Sequence, residues 1–197
     1  MPYIPKNDFI KVRATNIPLE GGKLLLAAPF MSDSYFDKTV ILLVEQGSEG
    51  SLGFILNRPM HVSLNDVMKN KIHHDFMLHN GGPVELNKLF FIHTCGHLIA
   101  DAEEIGNGLF LGGNEHDLES MLREGLLDRN CIRFYLGYSA WSPGQLEREL
   151  EEKSWVVAPF YKDCVFCEAT QLWRNVVGRL GEVYEHWLEI PDKAYYN

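Results

Sequence analysis

The residues in this chain that could do chemistry begin with Cys164-Val-Phe-Cys167, which has the spacing of a redox pair or of half a metal site. A thioredoxin-like pair needs a βαβ setting and a helix N-terminus that lowers one thiol pKa. A helix does follow, but Glu168 puts negative charge where the thiolate would form. Zinc needs four ligands, and the other candidates, Cys131 or the group His93, Cys95 and His97, lie far off in sequence. The pair is read as two packed, reduced thiols. His73, His74 and His79, with His93 and His97, invite a metal, yet no HExxH or paired-Cys spacing accompanies them. They are read as solvated loop histidines, so neither a metal nor a cofactor is assigned. Gly137-Tyr-Ser-Ala-Trp141 has the outline of a nucleophile elbow, but Trp141 stands where the elbow needs its second glycine. No catalytic residue is assigned.

Two further stretches suit binding better than catalysis. Asn57-Arg58-Pro59 closes a core strand with a guanidinium able to grip a carboxylate or phosphate in two places, unless it folds back on a nearby acid. Gly81-Gly82-Pro83 lets a backbone come close to a ligand, or simply makes a tight turn. It is not a phosphate loop, because no Gly-Lys-Ser/Thr follows. Adding the strand end at Tyr138 and Trp141 gives the candidate ligand-binding set Asn57, Arg58, Gly81, Gly82, Tyr138 and Trp141. Each lies at the end of an element, where a rigid backbone meets a polar or aromatic group, as pockets require. An anion there would rest on Arg58.

The elements that must position these residues are legible from periodicity and caps. Ser142 and Gln145 have capping-box spacing, Pro143 falls at the first helical position, and Trp141 and Leu146 are spaced as a hydrophobic staple. Together they predict a helix beginning directly after Ser142, behind a strand over 131–138. Residues 23–28 and 39–45 read as buried strands, the second apolar on both faces and hence central. Residues 51–57 alternate, and 89–93, 109–111 and 155–157 are further strands. Ser63 with Asp66 caps a short helix, Asn114 caps one that stops at Gly125, and residues 168–180 make a last amphipathic helix stopped by Gly181. Strands in adjacent runs, mixed with helices, indicate an α+β fold with mixed pairing. Without repeats or linkers, residues 1–197 read as one domain, with 1–20 a lead-in segment and 182–197 a C-terminal tail.

A net charge of −9 is a poor match for phosphate backbones and for anionic lipid, so nucleic acid and membrane are set aside as partners. The longest apolar runs are too short to span a bilayer. The run from Met1 to Asp8 lacks the apolar stretch of a signal peptide, and four cysteines in that context imply reduced thiols in the cytoplasm.

Four blocks occur in order: Leu24-Leu-Leu-Ala-Ala-Pro29, Gly50-Ser-Leu-Gly-Phe-Ile-Leu-Asn-Arg-Pro59, Gly81-Gly-Pro-Val84 and Gly137-Tyr-x-x-Trp-x-x-Gly-Gln-Leu-Glu147. In that order and spacing the chain resembles the YqgE/AlgH family of bacterial proteins over roughly residues 20 to 197. The resemblance implies a mixed α+β fold whose sheets curl into a pseudo-barrel flanked by helices. It brings a transcriptional-regulator label but no established activity. Ser139-Ala140 departs from the family's usual Ala-Gly, and Cys164 and Cys167 lie outside its pattern.

The function expected is a cytosolic, non-catalytic binding or regulatory module with a protein or small-molecule partner. The first alternative is an enzyme on small metabolites, hydrolytic or redox, working in a cleft near Arg58 and Trp141. The second is a DNA-binding transcriptional regulator, which acidic charge and the lack of a helix-turn-helix pattern oppose.

Overall fold

A computed structural model describes residues 12–190, apart from 30, 32, 69–71 and 73. The lead-in before residue 12, His73 and the last seven residues of the tail therefore lie outside the described residues. Ten strands among these residues form one sheet. β1 (Leu24–Ala27), β2 (Val40–Gly47) and β3 (Gly50–Ile55) are followed by β4 (Pro59–Ser63) and β5 (Met77–Asn80). Then come β6 (Val84–His93), β7 (Glu103–Gly106), β8 (Leu109–Leu111), β9 (Ile132–Trp141) and β10 (Trp155–Ala158). The main path runs β10-β1-β2-β3-β9-β6-β8-β7, with β5 also on β9 and β4 on β5. Every pairing is antiparallel except β5 with β9.

The helices are α1 (Leu64–Val67), α2 (Glu115–Glu124), α3 (Gln145–Glu151), α4 (Lys162–Val165), α5 (Leu172–Arg179) and α6 (Glu182–Glu185). They cover the sheet in three patches. Leu24, Leu26, Leu42 and Phe54 pack with Leu172, Trp173 and Val176 of α5. Leu25, Ile41 and Ile55, from the opposite face of the same strands, pack with Leu146 of α3. Phe91, Ile132 and Phe134 pack with Leu64 of α1 and with Leu118 and Leu122 of α2. β1 and β2 are thus sandwiched on both faces, which is why their sequences are apolar without alternation.

The α+β expectation holds, but the sheet does not close into a barrel. Its ends, β10 and β7, are not paired with each other. Closure needs a continuous stagger around the ring. β9 interrupts it, because β5 and β3 share one of its edges in succession: residues 134–136 pair with β5 and 139–141 with β3.

The caps of α1 and α2 form as expected. Ser63 and Asp66 make a capping box, and Asn114 Oδ1 accepts from His116 and Asp117 N–H while Gly125 stops α2 at φ 69°. The helix after Ser142 begins later than its sequence suggests. Gly144 sits at φ 73°, so the Ser142–Gln145 segment is a turn, Pro143 is not helical, and α3 starts at Gln145. Half of the expected box survives: Gln145 Oε1 accepts from Ser142 N–H at 3.0 Å. The last helix divides at Gln171 into a 3-10 turn and α5. β4, β5 and β7 had no sequence reading as strands, since two of them carry a histidine and the third is short, with two exposed glutamates.

Candidate functional site

The fork on β9 explains the glycines of the candidate set. Gly81 N–H donates to Leu136 O at 2.9 Å, and Gly81 O accepts from Ile55 N–H at 3.0 Å. The same carbonyl accepts from Ser139 Oγ at 3.1 Å. A Cβ at Gly81 would stand 2.2 Å from Gly137 O, and one at Gly82 would stand 2.2 Å from the Tyr138 carbonyl carbon. Only hydrogen fits in that space, so these residues join three strands where β9 passes from β5 to β3.

The Asn57-Arg58 corner meets this fork directly. Arg58 O accepts from Asn80 N–H at 2.8 Å. Asn57 is spent on structure: its Oδ1 accepts from Val40 N–H at 2.9 Å and its Nδ2 donates to Lys38 O at 2.8 Å. Arg58 does fold back, but onto the carbonyl oxygen of Asp37 at 2.5 Å. It makes no ion pair among the described residues. Beside it, the Tyr35 hydroxyl donates to Asn80 Oδ1 at 2.7 Å, and that oxygen also accepts from Gly82 N–H at 3.0 Å. Partial burial raises the Tyr35 pKa, while the Asn80 bond and the Arg58 charge oppose the rise.

Tyr138 reaches the fork through its backbone, paired with Val84, and its ring packs edge-on against Phe90 at 5.5 Å. Trp141 sits elsewhere, only 5% exposed beneath α3. Its Nε1–H donates to Glu149 Oε2 at 2.9 Å, and Trp155 Nε1–H donates to the same oxygen at 2.7 Å. Residues 57–58, 80–82 and 137–139 are therefore joined by backbone contacts, whereas the Trp141 side chain serves the α3 core. Sequence reasoning missed Tyr35, Asn80 and Glu149. Gln145 and Glu149, one helical turn apart and hydrogen-bonded at 2.9 Å, were a signal for the last of these.

No acid–base or nucleophilic arrangement is built at the fork. Ser139 is 0% exposed and its hydroxyl is committed to Gly81 O, so the elbow outline has no exposed nucleophile. His79 and His93 are buried, contrary to their reading as solvated loop residues, because β5 and the end of β6 carry them inward. His93 Nε2 contacts Gly112 O at 2.8 Å and Nδ1 accepts from Cys95 N–H at 3.1 Å. Those partners suit the neutral ring with its proton on Nε2. Burial lowers the His93 pKa despite the opposing Gly112 carbonyl. Cys164 is pushed up to about 12, first by burial and then by the charges of Asp163 and Cys167. Burial also raises Cys167, whose thiol points to Cys164 O at 3.3 Å. Such thiols are poor nucleophiles. Among the described residues no three His, Cys, Asp or Glu side chains are grouped to hold a metal. A separate groove of about 560 Å³ is lined by Asn107, Asn130, Phe160, Lys162, Phe166 and Cys167, among others, and none of the Arg58 corner lines it. No described helix is long and apolar enough to cross a membrane.

The model of a family described as AlgH-like, DUF179, matches residues 24–185. The chain belongs to the AlgH-like family. A UPF0301 protein of Chlorobium chlorochromatii is 41% identical over 94% of this chain and 96% of its own length. One from Bacteroides fragilis is 36% identical over 93% and 94%. The solution structure of the AlgH protein from Pseudomonas aeruginosa superposes with a TM-score of 0.67 at 27% identity, covering 88% of this chain and 95% of that one. Protein DIP2367 of Corynebacterium diphtheriae shares the fold, with a TM-score of 0.73 at 23% identity over 87% and 92% of the two chains. The α+β architecture with a large, mostly antiparallel sheet is therefore that of an AlgH-like protein.

Proposed function

We propose that this AlgH-like chain is a non-catalytic binding or regulatory module of the cytoplasm, which takes an anionic small molecule or an acidic segment of a protein at the Arg58 corner. The observation that carries the reading is the state of Arg58. Its guanidinium bonds only a neutral carbonyl, beside the Tyr35 phenol and Asn80, and forms no ion pair with a carboxylate among the described residues. A guanidinium held in place by one bond keeps other donors for a carboxylate or phosphate. Gly81, Gly82 and Tyr138 supply the rigid wall behind it. The buried Ser139 hydroxyl and the raised thiols favour binding over catalysis. The net charge of −9 favours a partner other than DNA.

The test is a thermal-shift screen of carboxylate and phosphate metabolites on wild type and Arg58→Ala. Ligands that stabilise the wild type should stabilise Arg58→Ala far less, through a loss of affinity of roughly tenfold or more. Equal shifts in both proteins would overturn the assignment of the site to Arg58.

A further inference from the structure

β9 carries two polar side chains on the face that its alternation turns toward Phe54, Leu56 and Ile92 of the main core: Arg133 and Tyr135. Arg133 is 8% exposed. It donates to two backbone carbonyls, Leu56 O at 3.3 Å and Cys167 O at 2.6 Å, and pairs with no carboxylate among the described residues. Tyr135 is 0% exposed, and its hydroxyl has no hydrogen-bond partner. The His79 ring, on neighbouring β5, lies 5.9 Å from the Tyr135 ring, and its buried Nδ1 has no hydrogen bond of ordinary geometry, although the Met77 backbone lies close to the ring. Buried polar atoms are normally bonded, and buried charges are normally paired. Here a cation without a carboxylate partner and two neutral groups without hydrogen bonds of ordinary geometry meet at one place.

We propose that Arg133, Tyr135 and His79 form an interior receptor for one small anionic head group, a carboxylate or a phosphate. Arg133 supplies the charge, the Tyr135 hydroxyl donates, and His79 donates through Nδ1–H in the matching neutral tautomer. The guanidinium acts on both neighbours. It holds the Tyr135 pKa down against the burial that lifts it to about 12, and it adds to the burial that brings His79 to about 4. It stands close to the Tyr135 hydroxyl, yet no bond of ordinary geometry joins them. Cys167, whose carbonyl holds Arg133, also lines the groove of about 560 Å³, together with the oppositely charged Lys162 and Asp163. This receptor uses a different guanidinium from the Arg58 corner, where the side chain is turned to Asp37 O.

The experiment is titration calorimetry in a zwitterionic buffer, with sodium phosphate and sodium acetate as separate probes, on wild type, Tyr135→Phe and Arg58→Ala. Tyr135→Phe removes only an unpartnered oxygen, so the variant keeps its fold. Wild type is expected to bind saturably, Arg58→Ala to lose any binding at the surface corner but keep a saturable component, and Tyr135→Phe to weaken that component roughly tenfold or more. Phosphate alone binding assigns the head group as phosphate, and acetate alone binding assigns it as carboxylate. The proposal is overturned if neither probe binds the wild type saturably, or if wild type and Tyr135→Phe bind with equal affinity. Loss of binding in Arg58→Ala but not in Tyr135→Phe also overturns it, and places the anion at the surface corner instead.

Discussion

Acid should destabilise this protein beyond what its carboxylates dictate, and His79 is the reason. Its pKa falls from 6.5 to about 4, chiefly through burial and secondarily through Arg133, against a weaker contrary pull from the Met77 backbone. Unfolding returns the imidazole to water and to its ordinary pKa. Between those two values the unfolded chain binds a proton that the folded chain refuses. Stability is therefore complete above pH 6.5, falls as the pH drops through the window, and stops falling near 4. At about 1.4 kcal/mol per pH unit, the full loss is roughly 3 kcal/mol. His93 shifts in the same direction, and carboxylates add their own dependence, so a comparison is needed to isolate His79. The assay is urea unfolding of wild type and His79→Gln at neutral pH and again near pH 4, without added phosphate or acetate. Wild type should lose roughly 3 kcal/mol more than the variant over that interval. Equal losses in the two proteins would refute the reasoning, since the histidine would then titrate alike when folded and unfolded.

Three other outcomes are expected. Glu149→Ala strips the acceptor from both Trp141 and Trp155 indole N–H groups and should cost roughly 3 kcal/mol in urea unfolding, with Glu149→Gln milder; a loss below about 1 kcal/mol would contradict the shared-acceptor account. Gly81→Ala drives a Cβ to 2.2 Å from Gly137 O and should abolish soluble expression or destabilise by at least about 3 kcal/mol, so a near-wild-type melting curve would show that the fork is not tight. Cys164 and Cys167 should stay reduced, metal-free and slow toward alkylation until the protein unfolds, because burial holds both thiols protonated at neutral pH; one zinc per chain in elemental analysis, or rapid native labelling, would count against this.

Local physics decided much of the architecture in advance. The continuous apolar runs of β1 and β2 already required burial on both faces, and Asn114 with Gly125 delimited α2, because caps and periodicity act within a few residues. The ordered blocks of Leu24–Pro29, Gly50–Pro59, Gly81–Val84 and Gly137–Glu147 were enough to suggest the family that the comparisons then showed. Partnerships between distant residues were out of reach. Nothing in the spacing of Glu149, Trp141 and Trp155 announces a shared oxygen, and the left-handed Gly144 delays the start of α3 to Gln145. Gly81 and Gly137 are 56 positions apart, and their contact exists only because β9 changes neighbours from β5 to β3. The burial of His79 beside Tyr135 and Arg133 likewise depends on the parallel pairing of β5 with β9. The sequence by itself determined which segments must be buried and where helices α1 and α2 start. Tertiary structure alone decided which polar groups are left unpaired inside, because the desolvation that makes them consequential arises only when remote strands meet.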